Sequence, residues 1–150
     1  MRLIIFIIYF FSFLANCHEY KKNNIIIDHP ILKVMNDNAK IGAGYLKIIN
    51  NSDHNIYLKA ISSDVSEKLE IHEIIKEDDI YKMRQIKKDL LIVSGKELLL
   101  KAKSYHAMFY GFKYPLKREE MIKAKVHFKN GIEIPIKFKV IVGNSKHDHH

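Results

Sequence analysis

The amino-acid sequence predicts an all-β fold, a single domain built as a sandwich or barrel of antiparallel strands. Three observations carry that prediction: short apolar or alternating runs recur at close spacing, clusters of Asn, Asp, Ser and Gly punctuate them, and no segment requires a helix. The runs fall at residues 25–27, 31–35, 43–49, 56–61, 69–75, 80–86, 90–93, 97–100, 105–112, 122–128 and 132–142. A polar, lysine-rich segment at 19–24 precedes them, and 118–121 offers one turn of helix at most. The turn signals between runs are Asn50-Asn51-Ser52-Asp53, Ser62-Ser63-Asp64, Ser94-Gly95-Lys96 and Asn130-Gly131. Asn-Gly supplies the positive backbone dihedrals of a type I′ turn, so 123–129 and 132–140 should pair as a hairpin. Pro135 lacks an amide donor, which places it at an edge or a bulge of that pair.

The two ends of the chain differ from its body. Met1-Arg2 and the wholly apolar run 3–14 have the form of a secretory leader, too short for a membrane span of about 20 residues. Ala15-Asn16-Cys17 places small residues at the two positions a signal peptidase reads, which puts the leader at 1–17 and leaves a domain at 18–145 and a tail at 146–150. Leu14-Ala15-Asn16-Cys17 also has the outline of a lipoprotein box, in which an acylated Cys17 would hold the domain on a membrane. Periplasmic export is the common element of both readings, and a soluble product is the favoured one. Cys17 is the only cysteine, so no intrachain disulfide forms and no thiolate is present for a blue-copper site.

A net charge of +8 raises the question of nucleic acid. Its lysines are scattered over almost every turn and strand face without an arginine cluster, which describes a solvated coat around an isoleucine-rich core. No nucleic-acid partner is expected. Attraction to anionic membrane surfaces or acidic partners is compatible with this coat.

The candidate chemistry rests on His72, Met83, His106 and Met108. Imidazole and thioether donors suit Cu(I), whereas Mg, Ca or Mn would need carboxylates and carbonyls. On a strand, His106 and Met108 share a face, and in the 69–75 run Leu69 and Ile71 share one face while Glu70, His72 and Ile74 share the other. Met83 follows the charged turn 76–79. Three strands can thus bring four donors to one end of a barrel. Singly, each of these residues would read as core filler or a satisfied surface group, and His29, His54 and His127 keep that reading, as do Met35 and Met121. The tail histidines His147, His149 and His150 can bind a divalent ion such as Cu(II) without a folded scaffold, or are simply a solvated terminus. No acid–base pair, nucleophile constellation or phosphate loop supports an enzyme.

The pattern resembles the periplasmic copper chaperones of the PCuAC family, whose signature is His, ten residues, Met, about twenty-one residues, then His-x-Met. Ten residues separate His72 from Met83 and twenty-two separate Met83 from His106, one more than in the family. The flanks agree: Gly42-Ala43-Gly44-Tyr45-Leu46 with Ile49-Asn50-Asn51, Leu69-Glu70-Ile71-His72-Glu73, Tyr81-Lys82-Met83-Arg84, and Tyr105-His106-Ala107-Met108 with Gly111 and Pro115-Leu116-Lys117. His29-Pro30-Ile31-Leu32 stands where the family has an aromatic segment. The resemblance implies a cupredoxin-like barrel that carries Cu(I) on these four residues. It implies delivery to the copper subunit of cytochrome c oxidase, alone or with a thioredoxin-like copper protein. A copper buffer or resistance protein without a dedicated client is the alternative. Some relatives bind copper on a His-rich or Met-rich extension, a part His147, His149 and His150 would play.

Overall fold

The computed structural model describes residues 19–143. The leader with Cys17, and the tail with His147, His149 and His150, lie outside the described residues. Eleven strands follow in order: β1 (Glu19–Lys22), β2 (Ile25–Val34), β3 (Ile41–Asn50), β4 (Ile56–Ser62), β5 (Ser66–Glu77), β6 (Ile80–Gln85), β7 (Leu90–Ile92), β8 (Glu97–Leu100), β9 (His106–Phe112), β10 (Met121–Phe128) and β11 (Glu133–Val142). The all-β expectation holds, and among the described residues there is no helix, 118–121 included. The polar segment 19–24 is itself a strand and a turn, because Asn23 and Asn24 both take positive φ and close a two-residue hairpin between β1 and β2.

The ladder runs β6-β5-β9-β3-β2-β11-β10-β4-β7, with β1 on β2 and β8 on β3. It begins at β6 and ends at β7 without closing, which makes the fold a sandwich wrapped from one continuous sheet. Among these eleven strands only β2 and β11 pair in parallel. Two strands change partners midway and so turn the corners. The first half of β2 pairs β1 and its second half pairs β11, the break falling at His29-Pro30, where φ of His29 is 47°. The first half of β3 pairs β9 and its second half pairs β8.

Alternation buries one face of each strand. Ile25, Ile27, Leu32, Leu46, Ile48, Leu58, Phe109, Val126, Ile134 and Phe138 form the body of the core. Phe109 meets Phe138 edge-on at 5.4 Å between ring centroids and stacks near Phe112 at 6.0 Å. Gly42 and Gly44 of β3 lie against these rings. A Cβ on Gly44 would stand 2.9 Å from Phe109 Cε2, and one on Gly42 would stand 2.9 Å from Phe112 Cζ. Glycine here is a packing requirement that lets β9 lie close on β3. Met35, expected to pack, is instead 82% exposed just past the end of β2.

The hairpin expected at Asn130-Gly131 forms, with a different turn. Only Gly131 takes positive φ, 82°, and Phe128 N–H donates to the Ile132 carbonyl, so the loop has three residues and closes as a type I turn with a bulge. Two-residue type I′ geometry is found instead at Asn23-Asn24 and at Asp78-Asp79, where φ is 48° and 61°. Pro135 occupies an edge as anticipated: β11 meets β2 only from Lys139 to Val142, leaving the Pro135 half without a partner there.

Asn50 is the polar pin of the fold. Fully buried, its side-chain amide donates to the carbonyls of His54 (2.8 Å) and Ile92 (3.0 Å), and its oxygen accepts from Ser52 N–H and Ser52 Oγ. These bonds tie the β3–β4 loop to the end of β7. Asn50→Ala would remove the side-chain donor to the Ile92 carbonyl, leave the His54 carbonyl to Ser52 Oγ alone, and take the acceptor from Ser52 N–H; it is expected to lower unfolding free energy by about 3 kcal/mol, read from the urea midpoint at constant slope. Ser52→Ala should cost about 1 kcal/mol in the same assay.

Candidate metal centre

The four candidate donors come from β5, β6 and β9, at the edge where the ladder begins. In β5 and β9 the core-facing residues are Leu69, Ile71, Ala107 and Phe109. Glu70, His72, His106 and Met108 therefore project from the opposite face. The register sets them in a square, with His72 directly opposite His106 and Glu70 directly opposite Met108. On the other side of β5, Met83 of β6 stands opposite Ile74, two residues along from His72 on the same face. The expected grouping at one end of a barrel is thus a grouping on the outward face of a sheet near its edge. His72, His106 and Met108 are nonetheless buried, at 8%, 5% and 9% exposure, while Met83 is 53% exposed. Met108 belongs to no part of the interior cluster.

The imidazoles are oriented by their neighbours. His106 Nδ1 lies 2.9 Å from the Ser104 carbonyl, which can only accept, so Nδ1 carries the proton and Nε2 keeps its lone pair. That Nε2 faces Met83 Sδ at 3.1 Å. Two acceptor atoms directed at each other at this distance suit a shared cation. His72 Nε2 lies 2.9 Å from Glu70 Oε2, and its Nδ1 is buried with no hydrogen-bond partner. The two rings are 6.0 Å apart between centroids, and Tyr110 flanks His72 at 6.2 Å. Met108 is buried on the same face as His106. Among the described residues no three His, Cys, Asp or Glu side chains converge as a metal-binding group.

Glu70 is 11% exposed and held on both oxygens, by Lys68 Nζ at 2.7 Å on Oε1 and by His72 on Oε2. Lys68 also lies over the Tyr110 ring, 5.6 Å from its centroid. On the far face, Arg84 donates to Glu73 across the β5–β6 pair. The charged turn proposed at 76–79 narrows to Asp78-Asp79, with Lys76 and Asp79 paired across it.

The other histidines divide. His54 bonds exposed Asp53 in its turn, and His29 pairs with Asp28. His127 is not alone on its strand, as the sequence suggested: Ser62 Oγ lies 2.7 Å from Nε2 and Glu133 Oε1 lies 3.0 Å from Nδ1. This row borders a cavity of about 620 Å³ lined by Tyr20, Ser63, Lys123 and Lys137 among others. The row has the order of a hydrolytic triad, Ser62, His127 and Glu133, laid across three adjacent strands. Met121 opens β10, separated from β9 in the ladder by β3, β2 and β11.

Comparison with known proteins identifies the class first. The fold is that of PCuAC domains: the apo PCuAC domain of PmoF1 superposes with a TM-score of 0.69 at 20% identity, covering 83% of this chain and 99% of that domain. A copper-bound PCuAC domain from PmoF2 gives 0.69 at 15% identity over 83% and 98%. The Cu(I) form of DR1885 from Deinococcus radiodurans gives 0.59 at 20% identity over 77% and 76%. The LpqE-like family profile, described as one of lipoproteins, matches residues 25–140. The chain belongs to this LpqE-like (PCuAC) family. No curated protein matches it significantly.

The Glu70 carboxyl is held below its ordinary value of 4.5 by the Lys68 hydrogen bond, then by that of His72, against an opposing effect of burial. A carboxylate lowered in the folded state contributes stability that is present above the unfolded value and lost as pH falls through the lowered one. The metal-free protein should therefore lose stability below the ordinary glutamate range, and Glu70→Gln should show a smaller loss over that interval. Urea midpoints measured against pH test this.

Proposed function

We propose that the chain is an exported carrier of Cu(I), held by His72, Met83, His106 and Met108. The observation that carries this reading is the meeting of His106 Nε2 and Met83 Sδ at 3.1 Å, beside a His72 ring 6.0 Å away between centroids whose Nδ1 has no hydrogen-bond partner. With the proton of a neutral His106 on Nδ1, both atoms are lone-pair donors, and a soft monovalent ion is the species that would satisfy imidazole and thioether together. Copper-bound relatives of the same fold support the choice of ion. A His2Met2 set contains no thiolate, so copper would leave by ligand exchange to a partner offering cysteines. The copper subunit of cytochrome c oxidase, or a thioredoxin-like copper protein feeding it, fits as recipient.

The family's description as lipoproteins supports export and favours acylation of Cys17 over a soluble product. Metal carriage, with no reaction catalysed, is the role the family supports. His147, His149 and His150 would add a separate Cu(II) site at the tail.

Met108→Ile should abolish most Cu(I) retention against a competing chelator while leaving the unfolding midpoint nearly unchanged. Retention at the wild-type level would exclude Met108 as a ligand. Cu(I) should be bound in preference to Zn(II) by direct titration. Removing residues 146–150 should leave one Cu(I) bound and eliminate additional Cu(II). Deletion of the gene should lower oxidase activity, restored by added copper; an intact oxidase with raised copper sensitivity would assign the buffering role instead.

A further inference from the structure

We propose that Glu70 is a positioning residue that fixes which nitrogen of His72 meets the metal and, tied up by Lys68, withholds its own carboxylate from the site. This inference rests on the copper-carrier reading, and deepens it by naming what selects the ion and the donor atom.

β5 and β9 together form one side-chain square on their shared outward face. Glu70-Ile71-His72 runs antiparallel to His106-Ala107-Met108, and the register puts one carboxylate at the fourth corner of a set whose other three corners are candidate ligands. Left free, a carboxylate there would recruit ions that prefer oxygen, or expand the set toward Zn(II) or Cu(II). It is not free. Lys68 Nζ at 2.7 Å occupies Oε1 and His72 Nε2 at 2.9 Å occupies Oε2.

An ionised carboxylate only accepts, so the bond to Oε2 puts the proton of His72 on Nε2 and the lone pair on Nδ1. Nδ1 is the atom that lies buried with no hydrogen-bond partner. A buried acceptor left unsatisfied in a folded protein calls for an explanation, and a metal-facing donor supplies one. His106 is fixed in the opposite sense, through Nδ1 to the Ser104 carbonyl, leaving Nε2 available. The two histidines are thus held in different tautomers by different acceptors, one a side chain and one the backbone. Only the side-chain acceptor can be removed by substitution, which isolates its contribution. Carboxylates that orient ligating imidazoles commonly set metal affinity in this way.

The test uses the full-length chain and three variants: Glu70→Ala, Glu70→Gln and Lys68→Met. Long-range nitrogen–proton NMR of the metal-free protein at alkaline pH should show His72 protonated on Nε2 and His106 on Nδ1. In Glu70→Ala, His72 should become a tautomer mixture while His106 stays unchanged; Glu70→Gln, whose amide oxygen can still accept, should keep most of the wild-type pattern. Cu(I) affinity by chelator competition should fall about 10- to 100-fold in Glu70→Ala and less in Glu70→Gln. Lys68→Met, by freeing Oε1, should narrow the preference for Cu(I) over Zn(II). An unchanged His72 tautomer and unchanged affinity in Glu70→Ala, with wild type binding Cu(I), would overturn the role of Glu70 and leave the carrier reading standing. Wild-type protein that binds no Cu(I) would overturn the carrier reading and this inference with it.

Discussion

The pairing of β5 with β9 is the constraint on which the site depends. Because side chains alternate with a period of two, a slip of one residue would exchange His72, Glu70, His106 and Met108 for Ile71, Leu69, Ala107 and Phe109. The register is held by burial: Phe109 and Ala107 have no exposed surface, and Phe109 sits between two other aromatic rings. Truncating such a phenylalanine in a core typically costs about 3–5 kcal/mol, and reversing it to face water would forfeit at least the burial. The polar face is thus specified by the apolar one. The candidate donors stand where they do because their apolar neighbours are committed to the core.

Two devices extend this control beyond the pair itself. Gly42 and Gly44 hold β9 close against β3, since any side chain at either position would meet the rings of Phe112 or Phe109. Asp78-Asp79 folds β6 back on β5 with a two-residue turn, fixing Met83 opposite Ile74 so that its thioether reaches past β5 to His106. Both lie outside the donor set, and both set its dimensions. Asn50 does similar work at the opposite end of β3, where its four hydrogen bonds lock the loop that follows.

Much of this was legible in the chain. The alternation in 69–75 and 105–112 separated the two faces correctly, and hydrophobic runs located ten of the strands in outline. What alternation cannot give is the loop length between two strands. A two-residue turn at Asn130-Gly131 would have set Glu133 opposite Phe128, whereas the three-residue loop pairs His127 with Glu133 and Phe128 with Ile132. The link between His127 and Glu133 was hidden by that one-residue difference. Glu70 was visible on the right face, but its hold on His72 depended on a third residue, Lys68, whose side chain could as well have pointed into solvent. Asn23-Asn24 escaped notice because β1 has almost no apolar residues to announce a strand.

The strand that bears Met83 differs from those bearing the other three donors. β5 and β9 each have a neighbour on both sides, but β6 has β5 alone, and every residue of it is exposed. A grip built this way is stiff on three fingers and loose on one. Any ion gripped by all four would thus meet its least supported donor on the solvent side of the sheet edge.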